Sequence, residues 1–366
     1  MPPIRRSRSS VLVDQLVHMN MSWSDLEDMF LQHREPEPRR YKSSGGLLDV
    51  AKLDDLTFRR MFRFEKDDFG LLNDALLMPK VVCSSQGVVV SEEEALFMCL
   101  RRLAYPNRWW DLEPIFGRHS SAMSSIVGQV LTHMDGTFGH LLDDLTTHSW
   151  LSLGDLERFA RAVHARGAPL PNCWGFVDGT ARPICRPSTN QRIYFSGHKR
   201  LHALKYQSIM CANGIICQLD GPYPGHRHDA GILRESGLYE KLEKLVQGRS
   251  YTIYGDLAYP LRRLLMRPYA GATLTQQQVL FNSGMSTVRQ AVEWGFGKIV
   301  SEFAFLDFKK NQKLYLQDVG KMYRVGAIFT NCRTCLYGSQ TGMFFGLRAP
   351  NLGQYLKPSV RDRHNL

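Results

Sequence analysis

Residues 173–184, CWGFVDGTARPI, are the stretch that decides the fold. An apolar run opens them and turn-forming residues end them, which is typical of a strand buried inside a sheet. Further along, residues 204–224, LKYQSIMCANGIICQLDGPYP, predict two strands joined at Asn213 and Gly214, because Asn-Gly favours a tight hairpin turn. The two segments together predict a sheet that begins just after the boundary-like residues 166–172, RGAPLPN.

Helix and strand alternate after the hairpin. Residues 228–245 open with His-Asp and predict a helix that has Asp229 as its N-cap. Residues 251–260, YTIYGDLAYP, predict another strand, and residues 287–303 predict a long helix. This order indicates an α/β domain with a mixed sheet, which we assign to residues 169–335.

Residues 46–168 have the apolar spacing of helices. Ser91 followed by Glu94 has the spacing of a capping box at the start of one helix. Two short helices joined through Gly117 resemble a helix-turn-helix, in which the helix starting at Ser121 would contact DNA bases. A plain helical bundle explains the same pattern, and the second helix carries few basic side chains.

The two ends of the chain are predicted to lie outside the two domains. Residues 1–45, which contain RRSRSS and end in a stretch rich in proline, serine and charge, predict a flexible basic segment. Its arginines are compatible either with a nuclear localisation signal or with contacts to phosphate groups. Residues 336–366 predict a C-terminal tail.

Composition limits the class of protein. The net charge of +11 and pI near 9.3 over 366 residues indicate attraction to a polyanion, most commonly nucleic acid, although a generically basic protein has the same balance. The eight cysteines lack the spacing of a disulfide framework, and their single C-x-x-C pair disfavours structural zinc. No apolar run approaches the roughly 18 residues of a membrane span, and no secretory signal is evident, so we expect a soluble intracellular protein.

Three carboxylates stand out in this setting. Asp178 ends the first strand, Asp256 ends the later strand, and Glu293 lies in the long helix. If the two strands are neighbours, these carboxylates converge and need a strong compensating charge, which Mg²⁺ or Mn²⁺ supplies. Two such ions support phosphoryl transfer. Taken singly, each residue is equally explained as a turn residue, a loop cap or an exposed helical charge.

The flanks of these carboxylates are basic. Residues 179–219 and 257–292 contain neither Asp nor Glu, as a site that acts on a polyanion requires. The candidate DNA contacts in them are Arg182, Arg186, Arg192, Lys199, Arg200, Lys205, Arg262 and Arg263.

Several motifs together resemble those of the PIF/Harbinger transposases and the nucleases derived from them. They run from about Phe58 to Cys335 and are FRRMFRFEKDDF, SEEEALFMCLRRLA, DLEPIFG, VDGT, PGHRHDAGILRES, GDLAYPL, FNSGMSTVRQAVEWGFGKI and IFTNCRTCL. The resemblance implies a ribonuclease-H-like catalytic core, preceded here by the helical region, with a DDE triad of Asp178, Asp256 and Glu293. His228 and Asp229 fall in a further family motif and take a supporting role. The chain departs from the family at FTNC, where a leucine-histidine-asparagine segment is usual.

The leading hypothesis is therefore a DDE endonuclease that cuts double-stranded DNA, at transposon ends or a target site, with strand transfer as a second reaction. The resemblance implies a Myb-like DNA-binding partner protein, and we include a homo-oligomer among the expected partners. We expect location in the nucleus, or in the cytoplasm when the partner is absent. The competing hypothesis is a domesticated DNA-binding or chromatin-associated protein that does not cut.

Overall fold

The computed structural model describes residues 48–357, except for the side chains of residues 291, 292 and 296. The predicted basic segment, residues 1–45, lies outside the described residues. Residues 48–357 belong to one compact unit, and the described helices and sheet contribute to one hydrophobic core. The division of this unit at residues 168 and 169 into a helical and a nuclease domain stays a prediction. Among the described helices, none is both long and apolar enough to cross a membrane.

The described residues before the sheet are mainly helical. Ser91 starts one helix by accepting a hydrogen bond from the backbone N–H of Glu94 at 3.2 Å, which confirms the predicted start. The elements are α1 (Asp55–Phe62), α2 (Phe69–Ala75), β1 (Val81–Cys83), β2 (Val89–Ser91), α3 (Glu92–Ala104), α4 (Glu113–Phe116), α5 (Ser120–Phe138), α6 (His140–Asp143) and α7 (Leu153–Ala165), with 3-10 turns at Val50–Lys52, Trp109–Leu112 and Leu145–Thr147.

The pair α4 and α5 occupies the position of the predicted helix-turn-helix. Gly117, which separates them, has a φ of 61° and ends α4 in the left-handed conformation that glycine favours. The exposed positions of α5 carry neither lysine nor arginine; they are Ser121, Ser124, Gly128, Gln129, Thr132 and Gly136. Its other face is buried in the core. This arrangement favours the plain helical bundle over a base-reading helix.

The second part of the described chain forms a six-stranded mixed sheet with helices. The elements are β3 (Cys173–Pro183), α8 (Gln191–Tyr194), β4 (Phe195–Ser196), β5 (Leu201–Cys211), β6 (Ile216–Pro224), α9 (Asp229–Glu235), α10 (Leu238–Val246), β7 (Thr252–Tyr254), β8 (Leu265–Met266), α11 (Gln276–Glu302), α12 (Val319–Tyr337), α13 (Gln340–Phe345) and α14 (Leu352–Tyr355), with 3-10 turns at Ala304–Asp307 and Lys309–Asn311. The strand order is β4-β5-β3-β7-β8, and β6 pairs with β5.

Strand direction makes the sheet mixed. The pairs β3–β5, β4–β5 and β5–β6 are antiparallel, whereas β3–β7 and β7–β8 are parallel. The predicted α/β class with a mixed sheet is therefore confirmed. The hairpin turn at Asn213 and Gly214 is confirmed as well, since Gly214 has a φ of 85° between β5 and β6.

Three local predictions were wrong. Asp178 does not end the first strand, because β3 continues to Pro183 and Asp178 is paired with Ser208 of β5. Asp229 is the first residue of α9 and His228 is its N-cap, with no side-chain hydrogen bond to the helix from that cap. The strand predicted to end at Asp256 ends at Tyr254, which is the last residue that pairs with β3.

The described part of the predicted C-terminal tail, residues 336–357, contains α13 and α14. Tyr355 of α14 is fully buried, and its hydroxyl accepts a hydrogen bond from Asn331 Nδ2 at 2.8 Å. Asn331 of α12 also donates to the backbone carbonyl of Ile216 and accepts from its N–H. These bonds hold the end of the described chain against β6.

Candidate active site

The two predicted strand-end aspartates lie side by side. Parallel β3 and β7 pair Phe176 with Tyr254, and each aspartate follows its paired residue by two positions. The charge of Asp256 raises the pKa of Asp178, so the two carboxylates lie close together just beyond the paired residues Phe176 and Tyr254. The two strands are therefore neighbours, as the predicted convergence of the carboxylates requires.

Asp178 is a largely buried carboxylate with one cationic partner. Its side chain is 21% exposed, and its Oδ1 lies 2.9 Å from Nη2 of Arg289 on α11. Burial raises the pKa of Asp178; the Arg289 charge opposes this rise, whereas the charge of Asp256 adds to it. The pair of carboxylates therefore has more negative charge than its surroundings compensate.

Asp256 is held by the loop in which it lies. Its Oδ1 accepts a hydrogen bond from the backbone N–H of Ala258 at 2.9 Å, so the side chain closes a local turn. Arg267 secures the same loop from outside, since its Nη1 donates to the carbonyls of Leu257 and Tyr259 at 3.1 and 3.2 Å.

Tyr259, at the end of this loop, lies within the carboxylate group. Its side chain is fully buried, and its hydroxyl has no hydrogen-bond partner among the described residues. Burial raises the pKa of Tyr259 well above its usual value, and neighbouring negative charges raise it further; these belong to Asp229, Asp178 and Asp256. The Tyr259 hydroxyl is thus a buried donor facing three carboxylates.

Asp229 is the carboxylate that approaches the VDGT segment from α9. A Cβ added to Gly179 would lie 3.1 Å from Asp229 Oδ1, so this glycine allows the close approach. Lys205 on β5 lies 3.4 Å from the same oxygen. His228, the other predicted supporting residue, is exposed at the start of α9.

Glu293 lies on α11 and is exposed. No ion pair or hydrogen bond joins its carboxylate to another described side chain. It follows Arg289 by four residues, which places it about 6 Å further along the helix and on nearly the same face. A side chain at Gly295 would overlap Met210 of β5, so α11 lies directly on the sheet there. The helix therefore positions Arg289 at Asp178 and Glu293 one turn beyond it.

The donors present fit a hard divalent cation in part. Asp178 and Asp256 offer adjacent carboxylate oxygens with an excess of negative charge, which is the donor chemistry of Mg²⁺ or Mn²⁺. Within residues 48–357, however, no group of three or more His, Cys, Asp or Glu side chains is arranged to hold a metal ion. The structure thus assembles two of the three predicted ligands and leaves Glu293 apart from them.

The predicted DNA contacts divide into two groups. Lys205 donates to the Arg227 carbonyl at 2.6 Å as well as contacting Asp229. Arg182 donates to Thr180 at 2.8 Å and pairs with Asp307 at 3.5 Å. Both side chains are therefore engaged within the protein. The remaining six are exposed, namely Arg186, Arg192, Lys199, Arg200, Arg262 and Arg263.

Sequence reasoning missed two residues of the site. Arg289 was noted only as part of a basic flank, although its position four residues before Glu293 puts both on one helical face. Tyr259 follows Asp256 by three residues in a segment interpreted as the end of a strand, and no periodic pattern shows that its ring turns inward.

Comparison with known families bears on the same residues. Residues 177–331 match the family model described as DDE superfamily endonuclease, a region that is less than half of the chain but contains every carboxylate of the candidate site. The match confirms the DDE endonuclease part of the resemblance for this region. The chain has no match among the curated proteins or the solved structures.

Proposed function

We propose that this protein is a divalent-metal-dependent DNA endonuclease of the PIF/Harbinger kind, built on a ribonuclease-H-like core. The observation that carries the proposal is the parallel register of β3 and β7, which sets Asp178 beside Asp256 within the matched region. In this proposal the cleaved bond is a phosphodiester of double-stranded DNA at an element end or target site. Strand transfer to a new site is a second reaction of the same centre.

The residues of the site would divide the work as follows. Asp178 and Asp256 would hold the cation, which supplies charge compensation and Lewis acidity at the scissile phosphate when bound. Glu293 would complete the ligand set from α11. Arg289 keeps Asp178 paired in the absence of metal, because its guanidinium is the cation closest to that carboxylate.

Two further residues support the arrangement. Asp229 ties α9 to Lys205 of β5 and lies against Gly179, so it supports the part of β3 from which Asp178 projects. The Tyr259 hydroxyl is a buried donor among the carboxylates and can orient an oxygen of one of them. Both act through the ligands rather than on the DNA.

The exposed basic residues would bind the DNA backbone. They are exposed in the part of the chain that contains the carboxylates, and a polyanionic substrate needs such neutralisation. We propose that the protein is located in the nucleus, or in the cytoplasm when its partner is absent. The proposal includes a Myb-like DNA-binding partner protein, as expected from the weak basic character of α5, and a homo-oligomer.

A cleavage assay tests this function. Duplex DNA is incubated with Mg²⁺, with Mn²⁺ or with chelator, and wild type is compared with Asp178→Asn, Asp256→Asn and Glu293→Gln. Each variant should lose more than about a hundredfold in rate, exceeding the loss typical of an outer-shell partner. Glu243→Gln, which changes an exposed carboxylate outside the site, is the matched control and should cleave normally. Cleavage that survives any one of the three changes would remove that residue from the triad.

One observation favours the second candidate, a domesticated DNA-binding protein that no longer cuts. Arg289 already occupies Asp178, and Glu293 lies apart from the aspartates. Titration calorimetry with Mn²⁺ separates the two functions without measuring activity. The nuclease should bind Mn²⁺, and Asp178→Asn should weaken that binding strongly. A wild-type protein that binds DNA but neither binds Mn²⁺ nor cleaves would establish the second candidate.

A further inference from the structure

A cavity of about 390 Å³ lies away from the carboxylates, where α1 faces the C-terminal ends of α11 and α12. Its lining is dominated by guanidinium groups, and we call it the arginine pocket. The lining residues are Leu56, Arg59, Arg60, Arg63, Glu302 and Arg333. None of them belongs to the candidate active site.

Two of these arginines are fixed in place by the fold. Arg333 is only 11% exposed and pairs with Glu302 at 3.0 Å. Arg63 donates to the carbonyl of Ala104 at 3.3 Å, and its guanidinium stacks 4.6 Å from the ring centre of Tyr105. Side chains held in this way lose little conformational entropy when they bind an anion.

The pocket has more positive charge than its carboxylates neutralise. Glu302 is the one acidic residue in the lining, and Glu65 outside it pairs with Arg59 at 3.1 Å. Within the described chain, no carboxylate lies within ion-pair distance of Arg60, which is exposed. Burial lowers the pKa of Arg333, Glu302 raises it, and the charge of Arg59 lowers it again. Four guanidiniums against two carboxylates leave an excess of positive charge at the cavity, which favours the binding of an anion.

We propose that the arginine pocket binds a phosphate of the nucleic-acid backbone at a second contact point, remote from the site of cleavage. The inference rests on the proposed function for the identity of the polyanion. Guanidinium groups suit the task because their planar donors match phosphate oxygens in pairs. The cavity has room for a phosphate group together with part of its sugar.

The position of the pocket on α11 sets its distance from the active site. Arg289 contacts Asp178, and Glu302 lies thirteen residues later on the same straight element. At about 1.5 Å per residue the two points are about 20 Å apart along the helix axis. That length corresponds to about six nucleotide steps of a duplex. The pocket is therefore a contact point separate from the candidate active site.

The test is the salt dependence of DNA binding by the double variant Arg59→Gln/Arg60→Gln. These two side chains lie at the open side of the pocket, so their loss spares the buried contacts of Arg63 and Arg333. Fluorescence anisotropy with a labelled 24-base-pair duplex in chelator should show about tenfold weaker binding at 0.15 M salt. The slope of log K against log salt should fall by about 1 to 2, as expected for one or two lost phosphate neutralisations.

Three further measurements make the result decisive. Arg161→Gln/Arg249→Gln removes the same charge from exposed positions elsewhere and should leave the slope within 0.5 of wild type, by our estimate of about half a lost contact. Arg60→Gln alone, whose side chain has no ion pair to lose, should reproduce part of the effect. Inorganic phosphate should displace the duplex no more than sodium chloride of the same ionic strength does, because the pocket binds a phosphate that belongs to the DNA backbone.

The outcomes separate this inference from the proposed function. An unchanged slope in the double variant, with normal circular dichroism, overturns the pocket assignment even if cleavage is intact. An equal change in the control variant overturns it too, because the effect would then be general charge. Conversely, the wild-type protein could fail to cleave DNA while Arg59→Gln/Arg60→Gln still reduces the slope of log K against log salt. That result would support the arginine pocket as a DNA contact and refute the proposed nuclease function.

Discussion

Asp220 on β6 gives a quantitative test of the electrostatics of this fold. Its side chain is 10% exposed, lies 3.5 Å from Lys241 Nζ, and accepts a hydrogen bond from Gln218 Nε2 at 2.7 Å. Burial raises the pKa of Asp220 to about 6, and the two partners only partly oppose this rise. A carboxyl whose pKa is higher in the folded protein than in the unfolded chain destabilises the fold once it ionises.

The sign and the pH window follow from that shift. Below pH 3.8 the carboxyl is protonated in both states and contributes no pH-dependent term. As the pH rises from 3.8 to about 6, the unfolded chain releases its proton first, so the free energy of unfolding falls. A shift of about two units corresponds to about 3 kcal/mol at neutral pH. The side chain amide of Asn keeps nearly the same shape and never ionises.

The variant Asp220→Asn should therefore gain stability relative to wild type as the pH rises. Urea unfolding at pH 4 and pH 7.5 should show the difference in unfolding free energy, variant minus wild type, increasing by about 2 kcal/mol, because part of the effect is already present at pH 4. The attraction to Lys241 is already contained in the pKa shift of Asp220, because Lys241 is one of the partners that oppose the effect of burial on that pKa. Asp67→Asn, at an exposed position, is the matched control, and its difference should stay within about 0.5 kcal/mol across the range. A flat profile for Asp220→Asn would refute the assignment of a buried, reluctantly ionised carboxyl.

Two packing predictions concern the frame around the site. Gly255→Ala should destabilise the protein by about 1 to 3 kcal/mol in urea unfolding, because its Cβ would lie 2.7 Å from the Tyr259 ring and 2.8 Å from Val177. Asn331→Ala should cost about 3 kcal/mol in the same assay, at about 1 kcal/mol for each lost hydrogen bond, since the side chain makes two bonds to the backbone of Ile216 and one to a buried tyrosine hydroxyl.

Each packing prediction has a control within the chain. Gly128 on α5 has open space where a Cβ would lie, so Gly128→Ala should be neutral or stabilise the helix by up to about 1 kcal/mol. Tyr355→Phe removes only one of the three Asn331 bonds and should cost about a third as much as Asn331→Ala. If Gly128→Ala were as damaging as Gly255→Ala, close approach would not explain the glycine of GDLAYP.

Local chemistry explains what could be predicted of the fold. The hairpin at Gly214 follows from the turn preference of Asn-Gly, and the start of α3 follows from the hydroxyl of Ser91. Both depend on residues within a few positions of one another. In contrast, α13 and α14 are only six and four residues long. Such short helices show no helical period in the sequence, so the sequence predicts only a tail after residue 335.

The candidate site needed information that no local pattern contains. That Asp178 and Asp256 belong together depended on β3 and β7 being neighbours, and strand pairing across some 80 residues is decided by the packing of the whole sheet. The helical period puts Arg289 and Glu293 on one face of α11 but does not say which of them meets Asp178. The structure gives that contact to Arg289.

The glycines of two motifs show why the site residues occur in these particular contexts. Gly179 follows Asp178, and a side chain there would press on Asp229; Gly255 precedes Asp256, and a side chain there would collide with Tyr259. Each of the two aspartates is thus adjacent in sequence to a glycine whose lack of a side chain lets another part of the candidate site approach. The neighbouring glycine is consequently a packing requirement of the carboxylate group. A sequence that kept both aspartates but replaced both glycines would retain its acidic donors and lose the spacing between them.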